Sequence, residues 1–337
     1  MATDLLALQA DVQTECGSEW ERYFWQAVRT LAAREILPFI LYVHGHEAPV
    51  IARFAFSRHG LVWARAMEEN LQTLFVSPPE HAKTLLMRCY AEWWLGRKTE
   101  QHFEDYSVPP PTALYLMNAA EAQAEKQGML VASTLESNER YREVFPHVKP
   151  RPKWGWTKGK LYLERRTERS EPSLTLTGLI GPYQGDRVGL AVVDDPTDQE
   201  DAYSETTMRK QIARHQGLLA DRMMADGERR DIMTRWSRHD IPGVLIGSPR
   251  WHAIEMPCLG FWEAHPELWP GPGSLPKALW PEEWPEDRLH EKRMEKELTK
   301  DSELWQLAWM TNPVAAEGEM FKRNWLQYYQ PEVLTAA

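Results

Sequence analysis

The sequence predicts an α/β fold with a mostly parallel sheet flanked by helices, and three observations indicate it. Short apolar segments alternate with helical patterns over residues 71–247, as in parallel strands joined by helices. Residues 188–193 form a continuous apolar run, which is typical of a central strand covered on both faces. With 337 residues, of which 43% are apolar and 26% charged, the chain can bury a large core.

The elements follow in order along the chain. Residues 1–70 have helical spacing over 4–35 and 48–69 and form a predicted N-terminal helical segment. The predicted α/β core, 71–247, has strands at 74–76, 113–117, 160–163, 174–177, 188–193 and 231–233, and helices at 84–95, 119–142 and 204–225. Gly96 is expected to end the first of these helices. Residues 248–337 are rich in Pro and Trp around a charged helix at 286–300, so we expect a packed C-terminal subdomain.

Charge limits the classes of partner. The net charge of −10 argues against a protein coated in nucleic acid, although it allows a local basic track. Eight Lys and Arg residues lie between His147 and Arg169, interleaved with Trp154, Trp156 and Tyr162. This basic track can contact DNA phosphates, or it can be a solvated hairpin face.

The cellular location follows from cysteine use and from the terminal sequence. Cys16, Cys89 and Cys258 are far apart, which predicts neither a disulfide framework nor a zinc site and fits a reducing cytosol. The first residues lack the basic region and apolar core of a secretory signal. The longest apolar run, 36–43, contains Pro38 and is too short to span a bilayer. We therefore expect no membrane partner.

Two adjacent carboxylates, Asp194 and Asp195, end the apolar strand at 188–193. Ligands of open α/β sheets bind where parallel strands end. Two carboxylates at such a point suit a hydrated Mg²⁺ and a positioned water, as in nucleotide hydrolysis. A simple exit from the strand into a turn is the alternative, because Asp and Pro are also favoured in turns.

Residues 77–84 lie between a strand and a helix, which is the position of a phosphate-binding loop. Lys83 and Thr84 match the end of the pattern G-x-x-x-x-G-K-[ST], in which the lysine neutralises phosphate charge and the hydroxyl binds Mg²⁺. The helix N-terminus adds its positive dipole end. Ser77 and Ala82 occupy the two glycine positions, so the motif is degenerate. A Pro-Pro turn before a helix with a surface lysine is the alternative.

Thr234 ends a further short strand, 231–233. In a parallel sheet this end lies beside the phosphate site, where Thr234 is placed to sense a γ-phosphate. A helix N-cap is the alternative role for this threonine.

These motifs, in this order, resemble the large subunit of tailed-phage DNA-packaging terminases. The resemblance covers roughly residues 70–329 and is more specific than any single motif. It involves the segments 77–84, 189–196 with 204–205, 233–236 with Asp240 and Gly243, 279–285, 312–314, 317–318 and 321–325.

The resemblance implies a P-loop NTPase fold of the RecA-like (ASCE) type, with ATP and Mg²⁺ as cofactors. Nucleotide binding is implied for the whole loop: Ser77, Pro78, Pro79, Glu80, His81, Ala82, Lys83 and Thr84. Metal binding is implied for Thr84 and Asp194. Catalytic roles are implied for Asp195, which orients or deprotonates the attacking water, and for Thr234, which couples hydrolysis to DNA movement.

The same resemblance implies the function and the partners. The chain is expected to be the ATPase motor that drives viral double-stranded DNA into a procapsid. Its expected partners are DNA, the portal protein, the terminase small subunit and further copies of itself in a ring on the portal, in the host cytoplasm. Arg187 or an arginine of the basic track is a candidate for the arginine that acts on a neighbouring subunit's ATP.

Two features depart from the family's pattern. Glu80 stands where the family usually has Gly or Arg, and it places a negative charge near the phosphates. No later acidic cluster builds the family's metal-dependent nuclease of ribonuclease-H type, so we expect ATPase activity without DNA cleavage. Another P-loop DNA translocase or helicase is one alternative. A non-catalytic packaging-assembly module that has lost ATP binding is the other.

Two histidine features favour structural roles. The sequence His-Gly-His-Glu at 44–47 has metal-binding residue types, but no further ligands are spaced to complete a site, which favours a loop. His81, inside the phosphate-binding loop, is expected to be structural as well.

Overall fold

The computed structural model describes residues 2–105, 113–152, 156–157, 159–165, 170–181, 187–202, 204–269, 274–299 and 302–313. Trp154 and Arg169 of the basic track lie outside these residues, as do the motif segments 317–318 and 321–325.

The centre of the molecule is a single sheet. Its strands are β1 (Gln72–Val76), β2 (Leu114–Asn118), β3 (Trp156–Thr157), β4 (Lys160–Leu161), β5 (Leu174–Gly178), β6 (Val188–Asp194), β7 (Met223–Met233) and β8 (His252–Glu255). They are ordered β3-β4-β5-β2-β6-β7-β1-β8. The six strands from β5 to β8 in this order run parallel, and β4 and β3 add an antiparallel edge. The predicted α/β class with a mostly parallel sheet is confirmed.

Helices flank this sheet. They are α1 (Leu5–Cys16), α2 (Trp20–Ala32), α3 (Ile36–Phe39), α4 (Pro49–Ala55), α5 (Arg58–Glu69), α6 (Lys83–Glu104), α7 (Glu121–Ser137), α8 (Glu139–Val144), α9 (Gln199–Ala202), α10 (Glu205–Arg222), α11 (Ile241–Leu245), α12 (Phe261–Ala264), α13 (Glu286–Leu298) and α14 (Ser302–Leu304). Turns of 3-10 helix occur at Gly17–Glu19 and Pro266–Leu268, and π-helical turns at Ile40–His44 and Trp305–Trp309. Among the described residues, no helix has the length and apolar character needed to cross a membrane.

The register of the sheet brings three strand ends to the same level. Val76 of β1 lies beside Met233 of β7, and Ile232 of β7 lies beside Asp194 of β6. The backbone N–H of Ser77 donates to the carbonyl oxygen of Met233 at 3.1 Å, which extends this pairing by one residue. Because the strands are parallel, their carboxyl ends form one edge at which the loops after β1, β6 and β7 meet.

One predicted helix boundary is wrong. Gly96 does not end α6, which continues to Glu104. A Cβ atom at Gly96 would lie only 2.2 Å from the ring of the buried Phe145. Glycine at this position therefore permits close packing between α6 and the segment after α8, and it does not act as a helix stop.

Other boundaries differ more modestly. The predicted helix at 48–69 is divided into α4 and α5, where the Ser57 hydroxyl accepts from the N–H of Gly60 at 3.1 Å and caps α5. Strand β7 begins eight residues earlier than predicted, at Met223. The Pro- and Trp-rich segment supplies β8, which pairs with β1, and it buries Trp262 and Trp280 completely.

Candidate functional site

The predicted site residues from three separate parts of the chain meet at the carboxyl edge of the sheet. Lys83 and Thr84 form the first turn of α6, which follows β1 after a six-residue loop. Asp194 is the last residue of β6 and Asp195 follows it. Thr234 follows the last residue of β7. The strand order β6-β7-β1 places Thr234 between the acids and the loop.

Lys83 is the centre of this cluster. Its Nζ donates to the carbonyl oxygen of Ser77 at 2.9 Å and also to Oγ1 of Thr234. The same Nζ lies 3.3 Å from Oδ2 of Asp195. Lys83 is buried, so the interpretation as a surface lysine does not apply. A buried ammonium group that joins the loop, the acid and the threonine is placed to meet a polyanion entering at this edge.

Asp195 is the carboxylate of the pair that reaches solvent. Its side chain is 35% exposed. Its Oδ1 accepts from the backbone N–H of Thr234 at 2.6 Å, and its own N–H donates to the carbonyl oxygen of Ile232 at 3.0 Å. The residue adopts a left-handed backbone with φ of 41°. These bonds fix the carboxylate beside Lys83 while leaving it open to a water molecule.

Asp194 has the opposite environment, because only 2% of the residue is exposed. Nδ2 of Asn118, at the end of β2, donates to the backbone oxygen of Asp194 at 2.8 Å and to its Oδ2 at 3.3 Å. Burial and the neighbouring Asp195 carboxylate raise the pKa of Asp194 to about 7, although a hydrogen bond to Thr84 and the charge of Lys83 oppose this shift. Within the described part of the chain, Oδ1 of Asp194 has no hydrogen-bond partner.

These residues fit Mg²⁺ chemically. A hydroxyl from Thr84 and a carboxylate from Asp194 are hard oxygen ligands, and Thr84 is close enough to Asp194 to lower its pKa. The unpaired Oδ1 of Asp194 is costly to bury unless a cation or a proton satisfies it. A divalent cation bound here would supply both the missing partner and the positive charge.

The loop backbone has the shape that the missing glycines would favour. Ala82, at a glycine position of the motif, has φ of 62°, and Glu80 has φ of 60°. These are left-handed conformations that cost non-glycine residues about 1 kcal/mol each, and such strain concentrates at functional sites. The first N–H groups of α6 have no intrahelical acceptor and point into the loop. The Glu80 side chain is exposed to solvent.

Tryptophans from the C-terminal segment hold the loop in place. Nε1 of Trp284 donates to the carbonyl oxygen of Glu80 at 3.2 Å. The Trp284 ring also stacks on His81, with ring centroids 6.0 Å apart and planes 12° apart. The Nδ1 of His81 donates to the carbonyl oxygen of Pro79 at 2.8 Å, and burial lowers the pKa of His81 to about 4. His81 is thus buried, neutral and packed against Trp284.

Sequence reasoning missed two residues of this site. Asn118 orients Asp194, and its signal was a polar residue at the end of the apolar strand β2. Trp284 supports the loop from 204 residues away, and no local pattern indicates that contact.

Asp240, which the sequence did indicate, accepts from the N–H groups of Trp236 and Gly243 at 2.9 and 2.8 Å, which shapes the turn after Thr234.

The predicted arginine and the basic track do not join this cluster. Arg187 is exposed and precedes β6, so it lies at the opposite edge of the sheet from Asp194. Arg165 of the basic track donates to the carbonyl oxygen of Glu171 at 2.9 Å and to Oγ of Ser173 at 2.8 Å, which ties the hairpin together. The exposed Lys160 lies on β4, near the far end of the sheet.

No protein-family model matches this chain, and no curated protein matches it significantly. The interpretation of the site therefore depends on the arrangement of its own residues.

Proposed function

We propose that this chain is a Mg²⁺-dependent P-loop ATPase of RecA-like type that acts as the DNA-packaging motor of a terminase large subunit. One observation carries the proposal. Lys83 contacts both Asp195 and Thr234 at the carboxyl edge of a parallel sheet, and Thr84, the next residue of α6, is close enough to Asp194 to lower its pKa. The residues expected to bind phosphate, metal and attacking water therefore form one cluster.

Each residue has a distinct proposed role. The Lys83 ammonium and the N–H groups of the first turn of α6 bind the phosphates and neutralise their charge. Thr84 and Asp194 hold Mg²⁺, which stabilises negative charge on the phosphates when it is bound. Asp195, fixed but open to solvent, orients the attacking water and accepts its proton.

Thr234 is the proposed coupling residue. Its hydroxyl bonds to Lys83, and its N–H bonds to Asp195, so it contacts both sides of the phosphate site. The next residue, Arg235, donates to Asp240 at 3.2 Å and to Glu255 of β8 at 3.1 Å. A movement of Thr234 on phosphate release would therefore be passed through Arg235 to the loop before α11 and to strand β8.

The partners and the location belong to the same proposal. They are double-stranded DNA, the portal protein, the small subunit and a ring of this chain on the portal, in the host cytoplasm. The ordered terminase-like motifs support packaging over another helicase or translocase. The buried Lys83, bonded to Ser77 and Thr234, favours an active ATPase over an assembly module without nucleotide.

The experiment is phosphate release from ATP by the full chain, with and without Mg²⁺ and double-stranded DNA. Lys83→Ala and Asp195→Asn are expected to abolish hydrolysis, and Lys126→Ala, an exposed lysine on α7, is the matched control. Robust hydrolysis by both site variants would contradict the assignment of Lys83 and Asp195 to the ATPase site. ATP-dependent strand separation on a forked duplex, without capsid stimulation, would favour the helicase alternative.

A further inference from the structure

A second cluster of reactive side chains lies further along the same helix α6, outside the phosphate site. Cys89 and Glu92 are three residues apart and therefore face the same direction from α6. Opposite them is His44, the last residue of the π-helical turn Ile40–His44. All three residues are buried, and one ligand atom from each lies within 4.8 Å of the others.

We infer that His44, Cys89 and Glu92 form a structural site for a divalent transition metal, best matched by Zn²⁺. Imidazole nitrogen, thiolate sulfur and carboxylate oxygen are the three donor types that zinc uses in proteins. The site joins the N-terminal helical segment to the helix that begins with Lys83. It is independent of the proposed ATPase activity.

The separations are close to those of a metal site. Zinc–ligand distances of about 2.0–2.3 Å require neighbouring ligand atoms about 3.3–3.8 Å apart in a tetrahedron. Nε2 of His44 lies 2.7 Å from Oε2 of Glu92, so an inserted metal would separate this pair slightly. The other ligand atoms, at most 4.8 Å apart, need to approach by about 1 Å.

The surroundings of His44 orient it as a ligand. Oε1 of Glu47 lies 2.8 Å from Nδ1 of His44, which leaves Nε2 directed toward Glu92 and Cys89. A carboxylate bound to the far nitrogen of a ligating imidazole is the usual outer support of a zinc histidine. The Glu47 side chain is 38% exposed, so only this residue separates the histidine from solvent on that side.

A further observation points to a missing cation. Oε1 of Glu92 is buried and has no hydrogen-bond partner among the described residues, although Nε of Arg88 lies 3.7 Å away. Glu92 is fully buried, and a cation between its carboxylate and Nε2 of His44 would satisfy the free oxygen.

The first test loads the purified full chain with Zn²⁺, removes loose metal by gel filtration and measures metal content. Co²⁺ is then substituted for Zn²⁺, because a thiolate ligand produces an intense charge-transfer band that carboxylate and imidazole ligands do not. We expect about one metal per chain and a cobalt–thiolate band. Wild-type protein that retains no metal and shows no band would overturn the inference. The cluster would then be a metal-free network in which a protonated His44 pairs with two carboxylates.

Matched cysteine variants identify the ligand. Cys89→Ser is expected to lose the cobalt–thiolate band and to bind Zn²⁺ at least about 100-fold more weakly, whereas Cys258→Ser, at another buried free cysteine, is expected to keep both. Glu47→Gln, in the outer support, is expected to weaken binding about 10-fold while keeping the band. Retention of the band by Cys89→Ser would refute the site even if metal were bound elsewhere.

A stability readout covers the case in which Cys89→Ser folds poorly. Zn²⁺ is expected to raise the thermal unfolding midpoint of the wild type and of Cys258→Ser, and a chelator is expected to reverse this effect. If Zn²⁺ fills the site and the thermal unfolding midpoint of the wild type does not change, the proposed structural role is wrong.

Discussion

Two clusters on helix α6 differ in their exposure to solvent and in their backbone strain. The first turn of α6 contributes Lys83 to a cluster in which Asp195 is 35% exposed and adopts a left-handed backbone. The later turns contribute Cys89 and Glu92 to a cluster in which every proposed ligand is buried. These differences fit the proposed roles, because a hydrolytic site must admit water and a substrate, whereas a structural metal site need not.

The largest expected effect separates the two clusters by activity. Lys83→Ala is expected to lower ATP hydrolysis at least about 1,000-fold, because it removes the cation that meets the developing phosphate charge. The cobalt–thiolate band at Cys89 should be unaffected in the same variant. Loss of both readouts together would mean that the clusters are one cooperative unit, and circular dichroism would show whether unfolding explains it.

The next effect separates them by stability. In the metal-free chain, Glu92→Ala is expected to lower the free energy of unfolding by about 3 kcal/mol, because it removes the buried carboxylate that faces both His44 and Arg88. Glu47→Ala, whose side chain is 38% exposed, is expected to cost less than about 1 kcal/mol. Urea unfolding with a chelator present measures both variants. Equal costs would contradict the closed, buried character of the second cluster.

The loop of the first cluster is expected to be sensitive to acid. The pKa of His81 is about 4 in the folded chain, because burial disfavours its charged form, and its ordinary value is 6.5. Between these values the unfolded chain binds a proton that the folded chain does not, so stability falls as the pH decreases from about 6.5 to about 4. We expect this histidine to account for about 2–3 kcal/mol of that loss.

His81→Gln is the variant that isolates this contribution. It should reduce the slope of the urea midpoint against pH in that window, with the buried His59, whose pKa is also lowered, keeping part of it, whereas the exposed His290→Gln should leave the slope as in the wild type. An unchanged slope in His81→Gln would place the acid sensitivity in another part of the molecule.

The first cluster could be predicted from the sequence and the second could not, and the reason is topological. Lys83, Asp194 and Thr234 follow the ends of predicted strands, and the carboxyl ends of parallel strands meet at one edge. Their proximity therefore follows once the strands are assigned. His44 and Cys89 are 45 residues apart and meet only because the π-helical turn packs against α6. No spacing rule connects them.

The helix end and the strand that were not predicted correctly also depend on tertiary contacts. Gly96 was expected to end a helix because glycine disfavours helix interiors, but packing against Phe145 outweighs that preference. The four residues of β8 lie in a segment rich in Pro and Trp, so their pairing with β1 had no local signal. Trp284 reaches the loop between β1 and α6 through the tertiary fold alone. Local propensity predicted the elements that local sequence determines.

The smallest expected effect tests whether α6 acts as the rigid connection between the clusters. Gly96→Ala is expected to destabilise the chain by about 1–2 kcal/mol, because its Cβ would lie 2.2 Å from the Phe145 ring and one of the two must move. Gly217→Ala is the matched control, because Gly217 lies inside α10 and a Cβ there meets nothing within 4 Å. Helix propensity should make this control more stable by about 0.5 kcal/mol. If Gly96→Ala also lowers ATP hydrolysis or weakens metal retention, a displacement of α6 at residue 96 reaches the cluster whose readout changed. If both readouts match the Gly217→Ala control, each cluster is held by its own local contacts.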